Sequence, residues 1–247
     1  LSPENLASNS IPTTENLLDY LEGRRPDPRM LAEALSQSVH QRFLHWPLEF
    51  PEVFARGGFD VILCNPPWER IKLQQEEFFA TRDLEISLAP NAAARRALIQ
   101  ALPTQRMELW REYRKALHDA DATSKYLRAS EQFPLTGRGD INTYSVFAER
   151  FTQLVRPEGR VGAVLPTGIA TDDTTKAFFA SLMETRRLVS FLALENEDMF
   201  YFPGIHHSFK YGLMTIGGEK AATTAPTFTF LCRRIEDTRK PERRFTL

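Results

Sequence analysis

The sequence predicts an α/β fold in which a mostly parallel sheet is covered by helices. Short runs rich in β-branched and aromatic residues alternate with helical segments from residue 59 to the end of the chain. Parallel neighbours in a sheet require long crossover connections, and the helical segments have the length to supply them. The 247 residues, of which 42% are hydrophobic, are enough to bury a sizeable core.

Helical sequence precedes the first strand. The segment PDPRMLAEALSQSVHQRF begins with prolines suited to a helix start, and several of its apolar side chains recur near one face. These are Met30, Leu31, Ala34, Leu35, Val39 and Phe43. The run FDVILCN is then predicted to be a buried strand. Charged, helix-forming sequence follows, which predicts a helical insertion over about 69–135.

The rest of the chain continues the alternation. The segment from residue 139 to 159 is predicted to be a helix capped by Asp140 or Asn142, and residues 160–166 form the next strand. A further helix over about 171–187 leads to a strand at 188–196. The last two runs, SFKYGLMTIGG and TFTFLCRRI, are predicted strands and lie close enough in sequence to be partly antiparallel.

Composition and charge exclude several classes of protein. No apolar run approaches the roughly 18 to 20 residues of a membrane span, and the first residues lack the pattern of a signal peptide, which predicts a cytoplasmic protein without membrane contact. The net charge of −1 confines any nucleic-acid contact to local basic patches. Cys64 and Cys232 lie in strand-like runs and are predicted to be buried thiols, and no spacing suggests a metal site.

The residues Asn65, Pro66, Pro67 and Trp68 follow the first strand, where open α/β sheets bind ligands. Two prolines stiffen the backbone and remove two N–H donors, which leaves carbonyl oxygens to accept hydrogen bonds. Asn65 adds a side-chain acceptor, and Trp68 adds a flat aromatic face. This combination suits a planar ligand with an amino group, such as adenine. Alternatively, the prolines only end the strand and Trp68 belongs to the core.

The run FDVILCNPPW, together with LEFPEVFARGG, YSVFAERFTQLVRPEGRVGAVLPTG and YFPGIHHSFKYGLMTI, resembles S-adenosylmethionine-dependent DNA adenine-N6 methyltransferases. The likeness covers roughly Leu44 to Leu247 and is greatest to the methylase region of large restriction-modification and phage-defence enzymes. It implies a partial Rossmann-like methyltransferase fold with an antiparallel strand near the C-terminal end. It also implies a helical lead-in at 1–50 and a catalytic part at 51–247.

The resemblance assigns roles to the matching residues. The side chain of Asn65 and the backbone carbonyl of Pro66 accept the two hydrogens of the exocyclic amine, within the rigid segment that Pro67 completes. Trp68 stacks on the target base after it has left the DNA helix.

A second aromatic side chain faces the flipped base in this family. Phe202 matches it better than its neighbours Phe200 and Tyr201 do, because it directly precedes a proline. Lys210 is a candidate phosphate contact, and so are His206 and His207, with an ordinary loop or strand-edge role as the alternative.

Two other segments have weaker signals. The run TGRGDINTY lacks the full glycine fingerprint of nucleotide binding and is predicted to be a loop that lines the substrate cleft. The run CRRIEDTRKPERRF is either a contact to the DNA backbone or a solvated face.

Members of the family bind S-adenosylmethionine through a glycine-rich loop and an acidic residue, and none of the twelve glycines forms that pattern. We expect this loop upstream of Leu1 and a target-recognition domain downstream, so the isolated chain is predicted to be inactive. Its predicted partners are DNA and those missing parts. The alternatives are a protein-glutamine or RNA methyltransferase, which shares the loop, and a non-catalytic methylase-like scaffold.

Overall fold

The computed structural model describes residues 13–247. The chain divides into two units after Ala55, and each is described by itself. No helix within the described residues is long and apolar enough to cross a membrane.

The first unit is helical. Its helices are α1 (Thr14–Leu21), α2 (Pro28–Gln41), α3 (Trp46–Glu49) and α4 (Pro51–Phe54). Asp27 caps α2 by accepting a hydrogen bond of 2.7 Å from the Arg29 N–H, and the helix ends where Arg42 adopts a left-handed conformation. The predicted helix is therefore present, but of its apolar face only Met30 is buried.

The second unit contains a sheet of six strands within the described range. They are β1 (Phe59–Cys64), β2 (Val155–Pro166), β3 (Leu188–Glu195), β4 (Lys210–Gly217), β5 (Thr227–Cys232) and β6 (Arg244–Thr246). Their order across the sheet is β1-β2-β4-β3-β5-β6.

Four of these strands, β1, β2, β3 and β5, run in one direction, and β4 and β6 run in the other. The predicted mixed α/β fold with antiparallel strands towards the C-terminal end is confirmed. Only β1–β2 and β3–β5 are parallel neighbours, because β4 returns from β3 as a hairpin and lies between β2 and β3.

Helices fill the connections between the strands. Those between β1 and β2 are α5 (Gln75–Ala80), α6 (Leu84–Ser87), α7 (Ala92–Gln105), α8 (Met107–Ala129) and α9 (Thr143–Leu154). Those between β2 and β3 are α10 (Gly168–Thr171) and α11 (Lys176–Glu184). Short 3-10 turns lie at Asp173–Thr175, Ile235–Arg239 and Pro241–Arg243.

The insertion formed by α5–α8 has a hydrophobic core of its own. Its buried members are Phe79, Ile86, Ile99, Leu102, Leu109 and Tyr113. The buried Arg95 side chain donates to the carbonyl of Ile86 at 3.2 Å and pairs with Glu76 at 2.9 Å. Because a buried guanidinium needs such partners, these contacts join three helices of the insertion.

The main core lies between the sheet and helices α9 and α11. The sheet residues Val161, Leu165 and Ile216 are fully buried there. Phe178 of α11 is almost fully buried. This core fixes the carboxyl ends of β1 and β2 beside each other, since Cys64 pairs with Ala163. The loop after β1 therefore leaves a rigid sheet edge.

Candidate active site

The loop after β1 carries the Asn65–Trp68 motif at the carboxyl edge of the sheet. Asn65 is exposed, and its side chain forms no hydrogen bond to any described residue. Pro66 is buried, yet its carbonyl oxygen also accepts no hydrogen bond within residues 13–247. Two oxygen acceptors at consecutive positions are thus unpaired within residues 13–247.

Thr143, the first residue of α9, holds the downstream half of this loop. Its Oγ1 donates to the carbonyl of Pro67 at 2.6 Å and accepts from the N–H of Glu69 at 2.9 Å. The backbone N–H of Thr143 donates to the Glu69 carbonyl at 2.9 Å. The N–H of Ile71 donates to the carbonyl of Ile141 at 3.1 Å. Side-chain and backbone bonds together tie the loop to the start of α9.

The start of α9 differs from the predicted cap. Asn142 occupies the N-cap position, but its side chain makes no capping hydrogen bond and instead donates to the carbonyl of Asp140 at 3.4 Å. The backbone of Asn142 pairs with Arg70 of the motif loop. Pairing with the loop replaces the side-chain cap that the sequence predicts.

Trp68 is half-buried and joins two parts of the core. It packs against the main core and against a smaller cluster of Leu194, Tyr211 and Cys232. Its indole Nε1 is buried and has no partner among the described residues. The alternative prediction, that Trp68 belongs to the core, is therefore partly correct. The residue is only half-buried.

Phe202 lies in the loop between β3 and β4 and contacts Trp68, with ring centroids 5.9 Å apart and planes inclined at 50°. Its neighbours take other partners. Phe200 lies under the guanidinium of Arg234 at 4.2 Å, and the hydroxyl of Tyr201 accepts from the N–H of Ile235 at 3.1 Å. This geometry favours Phe202 over its neighbours, and its role in base binding stays a prediction.

Asn196 holds the loop that carries Phe202. It is buried at 3% exposure, and its Nδ2 donates to the carbonyls of Phe202 at 3.1 Å and Ile205 at 3.0 Å. Beneath the loop, the ring of Tyr211 meets Phe202 edge-on at 4.9 Å. Burial is the main cause that raises the pKa of Tyr211 to about 12, and its hydroxyl has no partner among the described residues.

The two aromatic rings leave no space for a base between them as they stand. A base between parallel rings requires about 7 Å, since each contact takes about 3.5 Å. The Trp68 and Phe202 centroids are 5.9 Å apart and tilted. A base that stacks on Trp68 from this side must therefore displace Phe202.

Lys210 lies apart from the motif. Its Nζ is paired with Glu195 Oε1 at 2.9 Å, and both side chains line a cavity of about 380 Å³ that is otherwise mainly apolar. Neither Asn65 nor Trp68 lines this cavity. The predicted phosphate contact stays a prediction, and it requires the lysine to exchange a carboxylate for a phosphate.

The two histidines shape a turn. The Nδ1 of His206 lies 2.8 Å from the Ser208 Oγ, and its ring lies against that of His207 at 4.3 Å between centroids. Both are exposed. These contacts fit the ordinary loop role.

A second cavity, of about 280 Å³, begins directly after the motif. It is lined by Arg70, Ile71, Lys72 and Gln74 after the motif, by Ala120, Asp121, Ser124 and Arg128 of α8, and by Gly139, Asp140 and Ile141. Residues of the TGRGDINTY segment therefore do line a cleft. Cationic and acidic side chains both face this cavity, so its charge is mixed.

The cysteines have no chemical partner in the site. Cys64 and Cys232 are free thiols, the first half-buried and the second fully buried. Burial raises the pKa of Cys64, which disfavours the thiolate next to Asn65. Among the described residues no group of His, Cys, Asp or Glu is arranged to hold a metal ion.

The glycine-rich loop that the resemblance implies for S-adenosylmethionine does not follow any strand of the described residues. Gly57 and Gly58 precede β1 instead of following it, and Gly168 after β2 opens only the short helix α10. In addition, β1 has no neighbour on its outer side within the described chain, and its side chains Val61 and Leu63 are exposed. No residue of this chain is therefore assigned to the cofactor.

Sequence analysis missed two residues of the site, Thr143 and Asn196. Thr143 acts across 76 positions on Pro67, and a threonine at a helix start has no pattern that reveals a distant partner. Asn196 directly follows β3 and is buried in the structure. In the sequence, the one signal that could have drawn attention to it is an amide side chain at the end of a strand.

Comparison with known proteins finds a family model that matches part of the chain, including the motif. Residues 9–94 match the Eco57I restriction-modification methylase family. Among solved structures, the type IIG restriction endonuclease BpuSI is similar at 18% identity with a TM-score of 0.34, and the match covers 44% of this chain and 13% of that chain. No curated protein matches.

The family match contains β1, the motif loop and the first helices of the insertion. It confirms the resemblance to the methylase region of restriction-modification enzymes for that part of the chain. Over residues 9–94, this chain is similar to the Eco57I restriction-modification methylase family.

Proposed function

We propose that this chain carries the catalytic loop of an S-adenosylmethionine-dependent DNA adenine-N6 methyltransferase in a restriction-modification or phage-defence system of the cytoplasm. One observation carries the proposal. The side-chain oxygen of Asn65 and the carbonyl oxygen of Pro66 are both without partners in a stiff loop beside Trp68, at the edge of the sheet where ligands bind.

The two acceptors suit an exocyclic amine. Each N–H of the amine donates to one of the two oxygens, which draws electron density to the nitrogen and fixes its orientation. No covalent intermediate and no metal ion is needed for this step. The contribution of the chain is positioning and electrostatics, which the rigid proline backbone provides before the substrate arrives.

The base reaches this loop only after it leaves the DNA duplex. Trp68 then provides a stacking face, and the contact between Trp68 and Phe202 opens so that Phe202 covers the other face of the base. Lys210 exchanges Glu195 for a backbone phosphate when DNA is bound. Arg70 and Lys72 lie next to the motif and add positive charge along the path of the strand.

When bound, S-adenosylmethionine would supply an activated methyl group: the N–C bond would form as the methyl–sulfur bond breaks, S-adenosylhomocysteine would leave, and the amine would release one proton. Since the described residues lack a complete site for this cofactor, we place its main binding loop in a part of the protein outside this chain. The isolated chain is then inactive.

Two other functions use the same residues. The Asn65 and Pro66 oxygens could equally hold the amide of a glutamine side chain or the amine of an RNA base. The separately packed helical insertion, with its own core around Phe79, favours the restriction-modification enzyme over these more compact enzymes. A non-catalytic scaffold is favoured by one observation, the incomplete cofactor site.

Replacement of Asn65 tests the proposal. In the full-length gene product, Asn65→Ala should lower adenine methylation by about 10²- to 10³-fold, the cost of removing one preorganised partner of a reacting group. The fold should be unaffected because the side chain is exposed and has no partner among the described residues. N6-methyladenine is measured by modified-base sequencing of DNA from expressing cells.

The matched control is Glu77→Ala, an exposed side chain of α5 away from the motif, which should methylate like the wild type. Wild-type methylation by the Asn65→Ala protein would overturn the catalytic assignment. Modification of RNA or of protein glutamine by the wild type, with unmodified DNA, would establish the alternative enzyme. Absence of methylation on DNA, on RNA and on protein glutamine would establish the non-catalytic scaffold.

A further inference from the structure

One hydroxyl group from a helix distant in sequence bonds to the motif loop on both sides of Trp68. Thr143 Oγ1 donates to the carbonyl of Pro67, on one side of Trp68, and accepts from the N–H of Glu69, on the other side. The hydroxyl therefore spans Trp68. Its one proton has the Pro67 carbonyl as the nearer acceptor, at 2.6 Å, and the Glu69 carbonyl as a second acceptor at 3.2 Å.

We infer that Thr143 is a positioning residue of the methyl-transfer site, which fixes the Asn65–Trp68 loop in the geometry that presents its two free acceptors. This inference rests on the proposed function. It adds a residue outside the motif and outside the sequence runs that carry the resemblance.

The prolines make one anchor sufficient. Each proline ring restricts the backbone angle φ to about −65°, so Pro66 and Pro67 behave as one stiff unit. The Thr143 hydroxyl fixes the direction of the Pro67 carbonyl. Only the ψ angle of Pro67 then remains between this carbonyl and the preceding peptide group, so the anchor restricts the direction of the Pro66 carbonyl as well. The anchored carbonyl of Pro67 thereby orients the carbonyl of Pro66, which accepts no hydrogen bond from the described chain.

The same bridge sets the Trp68 ring. Trp68 lies between the two anchored peptide groups, and its indole packs against the core on one side and Phe202 on the other. Without the hydroxyl, the loop keeps the backbone bonds between Thr143 and Glu69 and between Ile71 and Ile141. The loop would stay near its place but lose the constraint at Pro67.

The test compares Thr143→Val with Thr143→Ser in the full-length protein. Valine keeps the shape and the backbone bonds and removes the hydroxyl, whereas serine keeps the hydroxyl. We expect Thr143→Val to lower kcat for DNA methylation at least about tenfold, with KM for DNA changed less than about twofold, since two hydrogen bonds that orient the acceptors are lost. Thr143→Ser should stay within about threefold of the wild type.

Thr185→Val is the matched control. The Thr185 hydroxyl also donates to a backbone carbonyl, that of Ser181 at 2.6 Å, but it lies at the end of α11 away from the motif. It should leave kcat unchanged. A purely structural role of Thr143 would lower the folded fraction and leave kcat per folded molecule intact.

Amide hydrogen exchange at Glu69 provides a readout that does not depend on activity. Thr143→Val should raise the exchange rate of this amide, and Thr143→Ser should not. Unchanged exchange and unchanged kcat in Thr143→Val would overturn the inference, as would equal losses of kcat in the serine and valine variants. If the wild type methylates nothing, the proposed function fails, while the exchange result still decides whether the anchor exists.

Discussion

The two loops that carry the aromatic residues of the site are held in opposite ways. The loop after β1 is short and stiffened by Pro66 and Pro67, and it is tied from outside by the Thr143 hydroxyl. The loop between β3 and β4, residues 196–209, is longer and is tied from inside by the buried amide of Asn196.

The difference explains which groups are free for function. Proline backbones cannot donate hydrogen bonds, so the first loop leaves acceptors unpaired without loss of rigidity. The second loop has no such stiffening beyond Pro203, and it exposes Phe200 and Ile205 while Phe202 points inward. Under the proposed function, the first loop holds the reacting group in place, and the second loop carries the ring that must be displaced to admit the base.

The largest effect should come from the anchor of the second loop. Asn196→Ala should lower the free energy of unfolding by about 3 kcal/mol, because it removes two hydrogen bonds from a buried amide and leaves the Ile205 carbonyl without its donor, whereas the Phe202 carbonyl keeps the N–H of Ile205. Asn65→Ala, at an exposed position, should change it by less than about 0.5 kcal/mol. Urea denaturation measures both. Equal losses of unfolding free energy in Asn196→Ala and Asn65→Ala would contradict this difference between the two loops.

Removal of the aromatic side chains of Trp68 and Phe202 should have the next largest effect. Trp68→Ala should weaken binding of DNA that contains the target base by about 2 kcal/mol, the value of one base-stacking contact. Phe202→Ala should lose less, since that ring must move before it contacts the base. Phe200→Ala is the control, because its ring contacts Arg234 instead of Trp68.

Titration of DNA binding by fluorescence anisotropy measures these losses, with unfolding of Trp68→Ala checked in parallel because the ring also packs in the core. If wild type and Trp68→Ala lose the same affinity when the target base is replaced by an abasic site, Trp68 does not stack on that base.

The smallest effect concerns two tyrosines, one next to each loop. The pKa of Tyr211, under Phe202, and that of Tyr144, next to Thr143, are both raised to about 12, mainly by burial. A raised pKa favours the neutral phenol in the folded state, so this stabilisation is complete below about pH 10 and is lost as the pH rises towards 12.

Unfolding measured between pH 9 and 12 should therefore show a falling free energy, and Tyr211→Phe should reduce the slope. At neutral pH the same change should cost little, because the Tyr211 hydroxyl has no partner within the described chain. Tyr144→Phe additionally removes the contact of its hydroxyl with Asp172 at 3.5 Å. An unchanged alkaline slope in Tyr211→Phe would show that this phenol does not remain neutral in the folded protein.

Local pattern was sufficient for the elements and for the motif. The strand at β1, the proline loop, the helical insertion and strands β3 to β5 follow from periodicity and from turn residues, which act over a few positions. Two predictions were wrong in part: β2 begins at Val155, inside the segment predicted to be a helix over 139–159, and β1, predicted to be buried, exposes Val61 and Leu63. The free acceptors at Asn65 and Pro66 follow from the chemistry of proline itself.

Tertiary structure alone decided how these pieces meet. It placed β4 between β2 and β3, brought the Thr143 hydroxyl to Pro67, and brought the Phe202 ring against Trp68. It also left most of the apolar face of α2 exposed, against the amphipathic pattern. Each of these outcomes depends on contacts between residues far apart in the chain, and such contacts follow from packing of the whole sheet, which no local periodicity records.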